Sequence, residues 1–188
     1  MICLLLGVVL WSGVHLVPCV GIGLRARLIA RLGEPAYKGA FALTLVATIV
    51  LMVVGWRSSA PGAIYATSWW GVVAVDLLML VALVLFAASA VPSNLKRIVR
   101  HPQLTGVALW AAAHLLANRE PRSLLLFGGL GLWAIATMLL LNRRDGAWEK
   151  PAAQPPAAEF KLVLGATIAF AALFFAHVHL FGVSPLPR

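Results

Sequence analysis

A chain of 188 residues in which 62% are hydrophobic and 11% charged, with a mean hydropathy of +0.94, lies far outside the range of soluble globular domains. It is long enough for several membrane spans of about 20 residues each, and leaves nothing for a separate soluble domain. The formal net charge of +9 does not indicate nucleic acid: the basic residues are spread over membrane-flanking loops with no aromatic-interleaved soluble module, and contact with anionic membrane lipid accounts for them.

In chain order, apolar stretches at 2–22, 39–56, 70–91, 102–118, 121–141 and 161–181 predict six transmembrane helices in one all-α, polytopic domain covering 1–188. The first stretch has no positive n-region and carries a histidine and a proline within its apolar run, so it reads as a span and not as a secretory signal. Cys3 and Cys19 stand sixteen residues apart in that same span, too far along one helix for a disulfide. Segment 142–160, rich in proline and alanine, reads as a cytoplasmic linker without structure of its own and as a hinge before the last span.

Eleven of the fifteen basic residues fall in the loops after spans one, three and five; only Arg57, Arg119, Arg122 and Arg188 fall on the other side. This asymmetry puts the first set in the cytoplasm and both termini outside. Trp56, Trp69, Trp70 and Trp148 lie near helix ends, where indole rings anchor at the headgroup level.

Ionisable groups inside spans are costly in hydrocarbon and face a partner or a cavity, which makes His15, Asp76, His114, His177 and His179 the candidates for chemistry. Asp76, about 9 Å in from the outer interface, expects a cation from Arg119 or Arg122, or else a role in proton handling. His177 and His179 project from opposite faces near the outer end, so at most one points inward. Arg100 and His101 belong to a helix start, because Pro102 suits the first helical position and leaves His101 as its cap. Thirteen residues separate His101 from His114, so the two face directions roughly 140° apart and cannot share a ligand.

Around His114 one stripe carries Gly106, Trp110 and Asn118, with Ala111 beside it; these small residues predict room for a flat group against the backbone. The segment LWAAAHL at 109–115 also has a twin, LWSGVHL at 10–16, in which His15 repeats the pattern with Gly7, Trp11, Ser12 and Cys19. Spans one and four run in opposite directions, so the twin suggests an inverted repeat of three plus three spans. Two imidazoles from opposite sides suit the axial positions of a haem; a proton- or water-linked pair and histidines that only join helices are the competing readings.

The same residues carry a resemblance. The first-span LWSGVHLVP, the phrase RHPQLTG with its continuation LWAAAHLLAN, the segment LLLFGGLGLWA at 124–134 and the ending HVHLFGVSPLP resemble the NnrU family over essentially the whole chain. That family is associated with denitrification and nitric oxide metabolism in bacteria, which implies a bacterial inner membrane, and a relative, 15-cis-zeta-carotene isomerase, is a haem b membrane enzyme. The resemblance implies haem b with His15 and His114 as iron ligands, and either nitric oxide or a hydrophobic polyene (a carotenoid) as the ligand or substrate. A non-catalytic accessory or transport protein without haem is the alternative. RHP followed by Gly106 also resembles isoprenylcysteine-type membrane methyltransferases, but Leu104 stands where those have tyrosine, and Glu149 and Glu159 are isolated and do not form their paired glutamates.

Overall fold

A computed structural model describes residues 1–60, 62, 69–118, 120–182 and 185. They form seven α-helices and, among the described residues, no strand: α1 (Ile2–Val20), α2 (Ile22–Leu32), α3 (Glu34–Arg57), α4 (Trp69–Ala90), α5 (Pro102–Ala117), α6 (Pro121–Asp145) and α7 (Pro156–Phe181), with a 3₁₀ turn at Asn94–Arg97. Within α6 the segment Leu124–Gly128 is a π-turn. Helices satisfy every backbone group internally, which is what hydrocarbon demands of a spanning segment.

Five of these helices are long and apolar enough to cross a membrane: α1, α3, α4 (within it Val73–Ala90), α6 and α7. The expected fourth span, 102–118, is α5 with 16 residues, about 24 Å long at 1.5 Å per residue and shorter than a hydrocarbon core of about 30 Å. The bundle surface is apolar, with Leu43 72% and Phe175 77% exposed, as expected of helices that face lipid. The helix that the hydropathy reading missed is α2. It carries Arg27 and Arg31 on the face opposite Ile22 and Ile29, an amphipathic pattern typical of an interfacial helix.

The main contacts run in the order α3, α1, α6, α5, α4, α7. Lipid supplies little hydrophobic drive between helices, so close approach at small residues has to hold them. A Cβ on Gly7 would stand 2.6 Å from Met52 Cγ and 2.9 Å from Met52 N of α3, and one on Gly55 would collide with the backbone of Leu4. Leu4, Val8 and Met52 form the buried cluster at this seam. A Cβ on Gly106 would stand 3.0 Å from the Ala82 carbonyl of α4, and one on Gly131 of α6 would stand 3.0 Å from Ala111 Cβ of α5. The small residues of the His114 stripe are thus used in helix packing: Gly106 lies against α4 and Ala111 against α6, where the sequence suggested space for a flat ligand.

Hydrogen bonds join the helix ends into two layers. At the basic end, Arg144 donates to the Pro18 and Cys19 carbonyls of α1 (3.1 and 3.4 Å), Arg100 donates to the Gly146 carbonyl (2.8 Å), and His101 Nε2 pairs with Asn142 Oδ1 (2.9 Å). At the opposite end, the Met1 ammonium donates to Ser59 Oγ (2.8 Å), and Arg122 donates to the carbonyls of Trp56 and Ser59, both at 3.2 Å. The expected linker 142–160 is shorter and held: α6 runs to Asp145 and α7 starts at Pro156. Between them, Gln154 and Asn94 exchange two bonds of 2.8 Å, while the Glu159 carboxylate accepts from Ser93 Oγ and the Asn94 amide. These contacts clamp the segment to the α4–α5 connection, so it is not a free hinge.

The expected inverted repeat is matched locally but not in packing. A two-fold relation of the two halves would map the α1–α6 contact onto one between α5 and α3, yet α3 packs along α1 and α2. A test of the α1–α3 seam is Gly55→Val, which puts branched carbon against the fixed Leu4 backbone. It should cost about 2 kcal/mol or more, read as a lower midpoint of denaturant unfolding in detergent, with Gly165→Val, at a site where an added Cβ meets nothing, as the unaffected control.

Candidate functional site

The twin phrases fold into twin local geometries. His15 Nδ1 lies 3.0 Å from the Trp11 carbonyl, and His114 Nδ1 lies 2.9 Å from the Trp110 carbonyl, in both cases the residue four earlier on the same helix. A carbonyl only accepts, so Nδ1 carries the hydrogen in each ring and Nε2 keeps its lone pair. Each imidazole also rests on its own tryptophan, with centroids 4.2 Å apart for Trp11–His15 and 4.9 Å for Trp110–His114.

Helix α6 offers each twin a different ring. His114 stacks on Phe127 (4.4 Å, 26° between planes), and Trp110 meets the same ring edge-on at 4.9 Å. His15 meets Trp133 at 4.9 Å, and Phe41 of α3 closes its box at 6.0 Å. Phe127 and Trp133 are six residues apart, about 9 Å along a helix axis. Two imidazoles on one iron stand with their Nε2 atoms about 4 Å apart, given metal–nitrogen bonds of about 2 Å. The two imidazoles therefore lie against rings on different turns of α6, each in its own aromatic box.

The donor chemistry of each box suits iron: a backbone carbonyl fixes the tautomer and ring orientation, and Nε2 has no hydrogen-bond partner among the described residues. In the His15 box the indole N–H groups of Trp11 and Trp133 are also buried without an acceptor among the described residues. The His114 box has a different neighbourhood. Phe127 lies in the π-turn, an interruption that concentrates at functional sites, and His177 of α7 stands within electrostatic reach of His114.

Several candidates take other roles. Asn118 closes α5, its Nδ2 donating to the His114 carbonyl (2.8 Å). His179 faces outward and His177 is half-buried, in keeping with one inward histidine of the two. His101 is the N-cap of α5 at the basic end; both it and His114 reach α6, but at Asn142 and Phe127, well apart. Trp148 lies at the basic end under the Lys150 ammonium (5.6 Å). At the opposite end the Arg122 guanidinium sits 4.4 Å over the Trp56 ring. Phe127 and Trp133, the rings with which α6 walls the two boxes, were not singled out from sequence; their spacing along the fifth span was the available signal.

Asp76 does not take Arg122 as its partner. Arg122 instead pairs with Glu120 while holding the Trp56 and Ser59 carbonyls, and Arg119 lies outside the described residues, as do Arg188 and the side chains of Trp69 and Trp70.

A family profile described as NnrU protein matches residues 3–185. This chain belongs to the NnrU family. No curated protein and no solved structure matches it, so the NnrU assignment rests on that family match, and the NnrU chain's chemistry has to be argued from its own residues.

These contacts separate the two outer polar groups. Arg122→Ala, which removes two carbonyl bonds and a cation–π contact, should cost about 1 to 3 kcal/mol. Asp76→Asn should change stability by less than about 0.5 kcal/mol or raise it. Unfolding midpoints of the two variants, measured side by side in detergent, check the contrast.

Proposed function

We propose that this NnrU-family protein is a multi-pass membrane protein that binds haem b through His114, in the nitric oxide chemistry with which denitrification is concerned. The observation that carries the reading is the imidazole whose Nδ1–H is tied to the Trp110 carbonyl while its Nε2 is left for a metal. His114 is preferred over His15 because the π-turn ring Phe127 and the neighbouring His177 cluster there. Bound haem would supply an iron with one protein imidazole and a position for a small ligand such as nitric oxide. The chain's part is to orient that imidazole through Trp110, to wall the site with Phe127, and to exclude water with the lipid-facing helices.

Isomerisation of a polyene would use the same iron with a hydrophobic substrate drawn from the membrane. The methyltransferase reading loses support, because Glu159 is bound by Ser93 and Asn94 and has no paired glutamate beside it.

Protein purified from haem-replete cells should give a pyridine haemochrome spectrum of haem b. His114→Ala should lower haem content at least about tenfold, as loss of a metal ligand does, while His15→Ala and His101→Ala should retain it. A haem-free preparation would sink the reading in favour of an accessory or transport role. Equal loss in the His15 and His114 variants would instead mean that the two imidazoles meet on one iron. The ferrous protein should take up nitric oxide at that iron.

We also infer the orientation from the grouping of eleven basic residues at one end: cytoplasmic basic end, both termini outside, α5 as a short sixth crossing flanked by α4 and α6. A periplasm-dependent phosphatase fused after residue 188 should be active, and the same reporter inserted at residue 150 inactive.

A further inference from the structure

At the basic end, the α4–α5 connection, the start of α5, the end of α6 and the clamped segment 146–155 enclose a groove of about 410 Å³. We propose that this groove binds the phosphate group of an anionic membrane lipid. Three side chains along it carry or can carry positive charge, Lys96, Arg100 and His101, and no carboxylate is among its lining residues. Asp145, which feels Arg100 and His101, is paired with Arg144 at 2.6 and 3.1 Å. A cavity of this charge at a buried depth would be expensive; at the headgroup level it suits an oxyanion.

The groove is built in advance of any ligand. One guanidinium nitrogen of Arg100 is held on the Gly146 carbonyl, which orients the rest of the fork, and His101 is held on Asn142. Less rotamer freedom is then lost when an anion arrives. The clamp made by Asn94, Gln154 and Glu159 accounts for why a proline- and alanine-rich segment is fixed here: it supplies Trp148 and Pro151 as a wall. With Leu104 and Leu141 that wall is apolar beside the cations, the combination a phosphate joined to a glycerol backbone would contact. The first turn of α5 also has no side-chain cap, so its amides add to the positive end of the groove.

Delipidated protein in a non-ionic detergent tests this by titration with dihexanoyl phosphatidylglycerol, dihexanoyl phosphatidylcholine and inorganic phosphate, with thermal stability as the readout. The phosphatidylglycerol should bind saturably and more tightly than the phosphatidylcholine. Lys96→Ala and Arg100→Gln should each weaken it about fivefold, the share of one basic residue near an anionic surface. Arg27→Ala, on the exposed face of α2, removes the same charge from the same end and should leave binding intact. Should Arg100→Gln lose the fold along with its Gly146 bond, Lys96→Ala still decides. Inorganic phosphate binding as tightly, with the same Lys96 dependence, supports phosphate recognition with a soluble source. Equal weakening by Arg27→Ala and Lys96→Ala, or no saturable binding of either phosphate, overturns the proposal.

Discussion

The rest of the structure depends on one helix coming close to two others. Helix α6 runs beside α1 and α5 because Gly129 and Gly131 carry no side chain: a Cβ on Gly129 would stand 2.5 Å from Val8, and one on Gly131 3.0 Å from Ala111. In lipid such contacts matter more than apolar burial, since lipid tails solvate leucine as well as another helix does. The two glycines bring the large rings of the same helix, Phe127 and Trp133, to the two histidines. The wall of each imidazole box is therefore a consequence of glycine packing one turn away.

A second constraint sorts the polar groups. Carbonyls at helix ends lack intrahelical donors, and here cationic side chains supply them: Arg144 for α1, Arg122 for the end of α3, Arg100 for the turn after α6. Each of these bonds joins elements distant in sequence, so the headgroup-level charges also fix helix order. The basic end holds the groove, and the interior holds the imidazoles. An anionic lipid phosphate and a metal-binding site would then occupy separate layers of one bundle.

Much of the architecture was legible in sequence. Five of the six apolar stretches match helices long enough to span, with ends displaced by a few residues, because hydropathy measures the same transfer cost that the membrane imposes. His15 and His114 were legible as candidates because an ionisable group in a span is rarely idle. The Pro102 helix start was legible too, since proline lacks an amide hydrogen and fixes φ. Helix α2 was passed over because its basic residues lowered its hydropathy, although its leucines recur with helical period.

The sequence by itself determined the helices, their membrane character, the clustering of basic residues in alternate loops and the local Nδ1 lock of each histidine, because these depend on residues within one or two turns. Only the tertiary structure decided what each face meets. Gly106 and Ala111 looked like space for a ligand and proved to be helix contacts; Asp76 lost its expected Arg122 partner to Glu120 and two carbonyls; His15 and His114 met rings six residues apart on α6. Periodicity gives the azimuth of a side chain on its own helix, whereas the neighbour at that azimuth is set by how closely backbones approach across helices distant in sequence.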